Sequence, residues 1–175
     1  MSGRRPTPFP ISFLGLALAA TVFAGYDLQV VPKADYHQVG WILLAVPAPM
    51  QLFAAVWGCV RGELASATSS ALLAAAWLGT ALSAIESTAP TRPLALLFFA
   101  VAAGLLVSVA TEALERQLVP AAVLLCAAVR FAIGGGSALA ASHGWSVAAG
   151  SAGFALAGVA LAGAFAIELR SALSR

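Results

Sequence analysis

Five stretches of this chain, residues 6–26, 38–60, 64–85, 93–111 and 144–167, carry no charged side chain, and a sixth, 117–142, carries only Arg130. At about 1.5 Å per residue, each is long enough as a helix to cross roughly 30 Å of hydrocarbon. The short segments between them hold most of the charges, so no stretch remains for a water-facing domain. The composition agrees: 61% of the 175 residues are hydrophobic and 9% charged, with a mean hydropathy of +0.95. Such a chain cannot cover itself with an ordinary charged surface. The expectation is a single all-α integral membrane domain with six transmembrane helices, spanning approximately 9–26, 38–60, 64–85, 93–111, 117–140 and 144–168.

The basic residues set an orientation. If the N-terminus is inside, Arg4, Arg5, Arg61, Arg116, Arg170 and Arg175 lie on the cytoplasmic side, while Lys33 and Arg92 lie outside. That asymmetry predicts both termini inside. The expected location is the inner, cytoplasmic membrane of a cell, with the chain crossing it several times. A competing reading takes the first span as a secretory signal with a cleavage site at Val22-Phe23-Ala24. Pro6, Pro8 and Pro10 favour a retained helix, because the first turn tolerates a missing N–H.

Several functional classes find no residues to carry them. A formal charge of +2 without a basic run gives no footprint for nucleic acid. Cys59 and Cys126 fall inside apolar segments, which predicts buried thiols and neither a disulfide nor a metal site. His37 and His143 fall in loops and the carboxylates at membrane edges, so no nucleophile, base and orienting partner converge. The chain is therefore not expected to be an enzyme, and no cofactor or metal is called for. Gly134-Gly135-Gly136 ends a span and reads as a flexible helix terminus, not a phosphate loop. In the last span Ala149, Gly153 and Ala157, with Gly150, Gly158 and Ala162, form small-residue stripes suited to close helix packing.

Two polar residues sit inside spans. Gln51 follows Pro47 and Pro49, whose missing N–H groups free carbonyls near mid-depth; it can line a solute path or bond a neighbouring helix. Arg130 keeps its proton, and holding it mid-span costs about 2.5–3.5 kcal/mol on insertion scales. Three arrangements offset that: snorkelling, an ion pair with Glu86, Asp27 or Asp35, or a site where its planar fork binds a substrate carboxylate.

The order of motifs resembles the acetate/succinate transporter family. The family opens with Asn-Pro-Ala-Pro-Leu-Gly-Leu where this chain has Arg5-Pro6-Thr7-Pro8-Phe9-Pro10-Ile11. Its Ala-Gln-x-x-Ala-Gly and basic-Gly-Asn-Thr-Phe patterns are echoed by Met50-Gln51-Leu52-Phe53-Ala54-Ala55 and Arg61-Gly62-Glu63-Leu64-Ala65, with Glu63 replacing the asparagine. Ala67-Thr68, Trp77-Leu78 and Ala132-Ile133-Gly134 continue the match. The resemblance implies a channel or transporter for small monocarboxylates such as acetate, with succinate as a further substrate and proton linkage. It also implies a homo-oligomer, a hexamer in that family, seated in the lipid bilayer. Each subunit's pore would narrow at three apolar side chains, here Leu14, Leu73 and Leu124. Gln51, Thr68, Trp77 and Arg130 become candidates for the solute path. Two alternatives stay open: a non-transporting membrane scaffold or partner subunit, and an amide- or urea-type small-solute channel.

Overall fold

The computed structural model describes residues 7–86, 92–140 and 142–173. Arg4, Arg5 and Arg175 of the charge asymmetry, Pro6, and the 87–91 connection lie outside the described residues. The fold is 91% helix, and the described residues contain no strand. The helices are α1 (Phe9–Asp27), α2 (Tyr36–Ala45), α3 (Pro47–Arg61), α4 (Leu64–Ile85), α5 (Arg92–Leu114), α6 (Leu118–Ala140) and α7 (His143–Leu173), with a 3₁₀ turn at Lys33–Asp35 before α2. Taken together, the 3₁₀ turn, α2 and α3 make one candidate span, Lys33–Arg61. With the other five helices this gives six segments long and apolar enough to cross a membrane.

Pro47 and Pro49 explain why the second span is two helices. Proline has no N–H to give to the carbonyl four residues earlier, so Leu43 and Ala45 lose their helical partners. The backbone turns at Val46, where φ is −122° and ψ is −70°. Helix α3 then ends in a Schellman turn: Gly62 takes the left-handed conformation at φ +72°, its N–H bonds Cys59 O, and the Glu63 N–H bonds Gly58 O. Helix α5 ends the same way, with Gln117 N bonding Glu112 O and Arg116 N bonding Ala113 O. There the left-handed position is occupied by Arg116, at φ +58°.

Successive spans pack side by side, and α7 closes the ring against α1. The arrangement is inverted relative to a water-soluble bundle. Leu52, Phe53, Val56, Val60, Leu106, Val107, Leu161 and Phe165 are exposed on the outside, while much of the interior is Ala, Gly and Ser. An apolar coat around a small-residue interior suits a bilayer, where helix association relies on close backbone approach. Gly153 shows how close: a Cβ there would stand 2.8 Å from Ala24 Cβ and 3.3 Å from Ala20 O on α1. The stripe Ala149, Gly153 and Ala157 packs inward as expected, whereas Gly158 and Ala162 of the second stripe face out.

The lipid-like coat also corrects the cysteine expectation. Cys59 is exposed and Cys126 half-buried, because an apolar segment of a membrane helix has an outward face as greasy as its inward one. Val22-Phe23-Ala24, the alternative cleavage site, lies within α1, with Phe23 and Ala24 buried in the bundle. His37 is not a loop residue. It belongs to the first turn of α2, where Nδ1 lies 2.9 Å from Ile85 O and Nε2 accepts from Trp41 Nε1 at 3.0 Å, which ties α2 to the end of α4.

Candidate functional site

At one end of the bundle the elements converge on Arg130. Its guanidinium is 4% exposed and donates from Nη2 to Asp27 Oδ2 at 2.6 Å. Of the three proposed carboxylates, Asp27 is therefore the partner. It was expected in a loop, but α1 runs one residue further and carries it into the bundle in its last turn. The Phe23 ring, one turn before Asp27, lies under the guanidinium with its centroid 5.3 Å from Cζ. Two glycines complete the seat: a Cβ on Gly134 would be 2.6 Å from Arg130 Nη1, and one on Gly153 would be 3.1 Å from Nε. Gly134 is thus not a flexible terminus but the clearance for a side chain one turn before it on α6.

Aromatic rings spread from this pair across four helices. Phe23 meets Phe98 edge-on at 6.5 Å, Phe98 meets Phe131 at 5.5 Å, and Phe131 packs on Trp77 at 5.3 Å. Trp77 is 2% exposed. Its indole Nε1 has no hydrogen-bond partner among the described residues, although a buried donor left unpaired costs about 1–3 kcal/mol.

Below the aromatic layer lie two of the three leucines expected to form a constriction. Leu73 and Leu124 are fully buried in the apolar core. Leu14 is not with them: it is 42% exposed on the outer face of α1. The interior face of α1 is Phe9, Phe13, Leu16, Ala20 and Phe23, at helical spacing, so Phe13 and Leu16 supply the apolar bulk assigned to Leu14. Thr68 is corrected in the same way. It faces outward, and its neighbours Ser66, Ser69 and Ser70 face in.

Gln51 is completely buried and bonds a neighbouring helix. Its Oε1 accepts from Ser12 Oγ at 2.8 Å, its Nε2 donates to Ser12 O at 2.7 Å, and Ser70 Oγ donates to Ser12 Oγ at 3.0 Å. This chain of bonds ties α1, α3 and α4 together one turn beyond the proline break. Gly15 permits the approach, with Met50 Cβ 3.1 Å and Gln51 Nε2 3.4 Å from where its own Cβ would stand.

Two cavities lie at opposite ends of the ring. One, of about 260 Å³, sits over the ion pair and is lined by Phe23, Tyr26, Asp27, Lys33, Gly134 and Ser137 among others. The other, of about 450 Å³, is framed by the two Schellman turns and lined by Glu63, Ser66, Thr111, Glu112 and Glu115 among others. Burial pushes the Glu63 carboxyl above its ordinary range, and the nearby Arg61 offsets only part of that rise. Between the cavities the interior is filled mainly by apolar side chains, with the Ser12–Gln51–Ser70 cluster and Thr80 buried among them. Among the described residues, no group of three or more His, Cys, Asp or Glu side chains is arranged to hold a metal ion.

Sequence reasoning passed over Ser12, Ser66, Glu112 and the role of Gly134. Only Gly134 left a local signal, the Arg130-x-x-x-Gly134 spacing that stacks glycine directly over arginine on one helix face.

No protein-family model, curated protein or solved structure matches the chain. The fold is an all-helical bundle whose six long apolar segments are consistent with a multi-pass membrane protein.

Proposed function

We propose that the protein carries small monocarboxylates, with acetate as the reference solute, through the centre of the six-helix ring, and that the solute crosses as the neutral acid. Both termini lie in the cytoplasm in this reading, the membrane is the cytoplasmic one, and subunits associate as a homo-oligomer. The observation that carries the reading is Trp77 Nε1, a buried N–H without a partner among the described residues, in a mainly apolar stretch between two end cavities. A carboxylic acid passing Leu73 and Leu124 would accept that hydrogen bond. The charges on the way favour the neutral form. Arg130 is neutralised by Asp27, and the second cavity is lined by carboxylates that repel an anion. An apolar constriction likewise admits an uncharged solute more readily than an ion.

Trp77→Phe tests the reading. It keeps an aromatic ring against Phe131 and removes the unpaired donor, so the fold should be as stable as the parent or more so, while acetate flux falls roughly tenfold, the scale of one hydrogen bond. Unchanged flux in the folded variant would overturn the role of Trp77. The packed interior supports a second reading, a non-transporting membrane subunit, under which neither parent nor variant carries acetate.

A further inference from the structure

The cavity framed by the two Schellman turns contains a carboxylate oxygen and a hydroxyl without partners, which the transport reading, drawing only on the charge of the carboxylates there, leaves unexplained. Glu112 is 2% exposed, and its Oε2 has no hydrogen-bond partner among the described residues. Ser66 is 1% exposed, and its Oγ is likewise unpartnered. Both line the same cavity, which Glu63 and Glu115 also line. A buried carboxylate oxygen and a buried hydroxyl are rarely left unsatisfied in a folded protein, because each then bears its full desolvation penalty. Glu63 and Glu115, from two separate connections, and Glu112, in the last turn of α5, bring three carboxylates to one cavity and ask for a positive partner. Arg61 stands beside Glu63, but its Nη2 is itself without a hydrogen bond, and it leaves both Glu112 Oε2 and Ser66 Oγ unpartnered.

We propose that this cavity is a binding site for a small primary ammonium compound, with Glu112 and Ser66 as its innermost acceptors and Glu63 and Glu115 nearer the mouth. An ammonium head has three N–H donors, which can be shared among the carboxylate and hydroxyl oxygens lining one cavity. A metal ion fits less well. About 450 Å³ is far more room than a bare ion fills, and among the described residues no three carboxylates come close enough together to ligate one ion, whereas an ammonium needs only Glu112 and the Ser66 hydroxyl at its head. The remaining lining includes Phe9, Leu64 and Ala65, which offers an apolar wall and an aromatic face to a short alkyl tail. The site does not depend on whether the chain transports acetate.

Ethylammonium chloride titrated calorimetrically into the full chain in a nonionic detergent is the test, with tetramethylammonium, which has no N–H, as the control. Saturable binding of ethylammonium but not of tetramethylammonium is expected. Glu112→Gln and Ser66→Ala should each weaken it by at least roughly tenfold, the scale of one charge-assisted hydrogen bond. Glu63→Gln, nearer the mouth, should weaken it less. Absence of saturable binding to the parent chain overturns the proposal. So does binding unchanged in Ser66→Ala, a substitution small enough to leave the fold intact, or equal binding of tetramethylammonium.

Discussion

Removing the charge of Arg130 while Asp27 stays should destabilise the bundle far more than removing both charges. At the observed 2.6 Å, an effective dielectric of about 20 gives an attraction of about 6 kcal/mol. Most of that offsets desolvation, since an arginine alone costs up to about 2.5–3.5 kcal/mol at mid-span, an upper bound for a guanidinium held towards one end of the bundle, and the aspartate has its own penalty. The pair's net contribution is therefore small, but either half left alone is expensive. Arg130→Gln or Asp27→Asn should each cost on the order of 3–5 kcal/mol, and the double variant should fall near the parent. With about 2–4 °C per kcal/mol for a chain this long, each single variant should unfold roughly 6–20 °C earlier. Arg130→Lys should lie between, because it keeps the charge and loses the fork. Thermal unfolding of all the variants in one detergent decides the matter. Two single variants whose losses simply add in the double would refute a coupled buried pair.

Two further predictions concern the packing around the site. Gly134→Ala should destabilise by about 1–3 kcal/mol, because the added methyl would stand 2.6 Å from Arg130 Nη1. Gly158→Ala, which meets nothing within 4 Å, should be neutral or slightly stabilising by helix propensity; the same unfolding series reads both. Gln51→Leu should cost about 1–2 kcal/mol, two interhelical hydrogen bonds at the modest scale found within membranes. A larger loss confined to transport, with stability unchanged, would return Gln51 to the solute path.

The spans were legible because hydrophobic length alone defines them, and the break in the second followed from Pro47 and Pro49. Arg130 announced a partner for the same reason, since a mid-span charge has few ways to be tolerated. Which partner depended on where α1 stops, a boundary decided by its last turn packing against α7 and invisible to hydropathy. Leu14 and Thr68 failed for a general reason. In a membrane helix both faces are apolar, so the sequence does not say which of two neighbouring leucines faces in, and small side chains such as Ser66 and Ser70 take the interior instead. The cavity with Glu112 was hidden further still, because Glu63 and Glu112 are far apart in the chain and meet only once two connections fold over the same end of the ring.

Protein-mediated acetate flux tests the central claim most directly. Purified protein reconstituted into vesicles should carry labelled acetate faster than protein-free vesicles at early times, and faster still towards the more alkaline side of a pH gradient, as a neutral acid requires. Leu73→Ala, which opens the apolar stretch between the cavities, should raise that rate. Flux equal to that of protein-free vesicles for the parent and Leu73→Ala alike, with both proteins folded and inserted, would contradict a solute path through the ring.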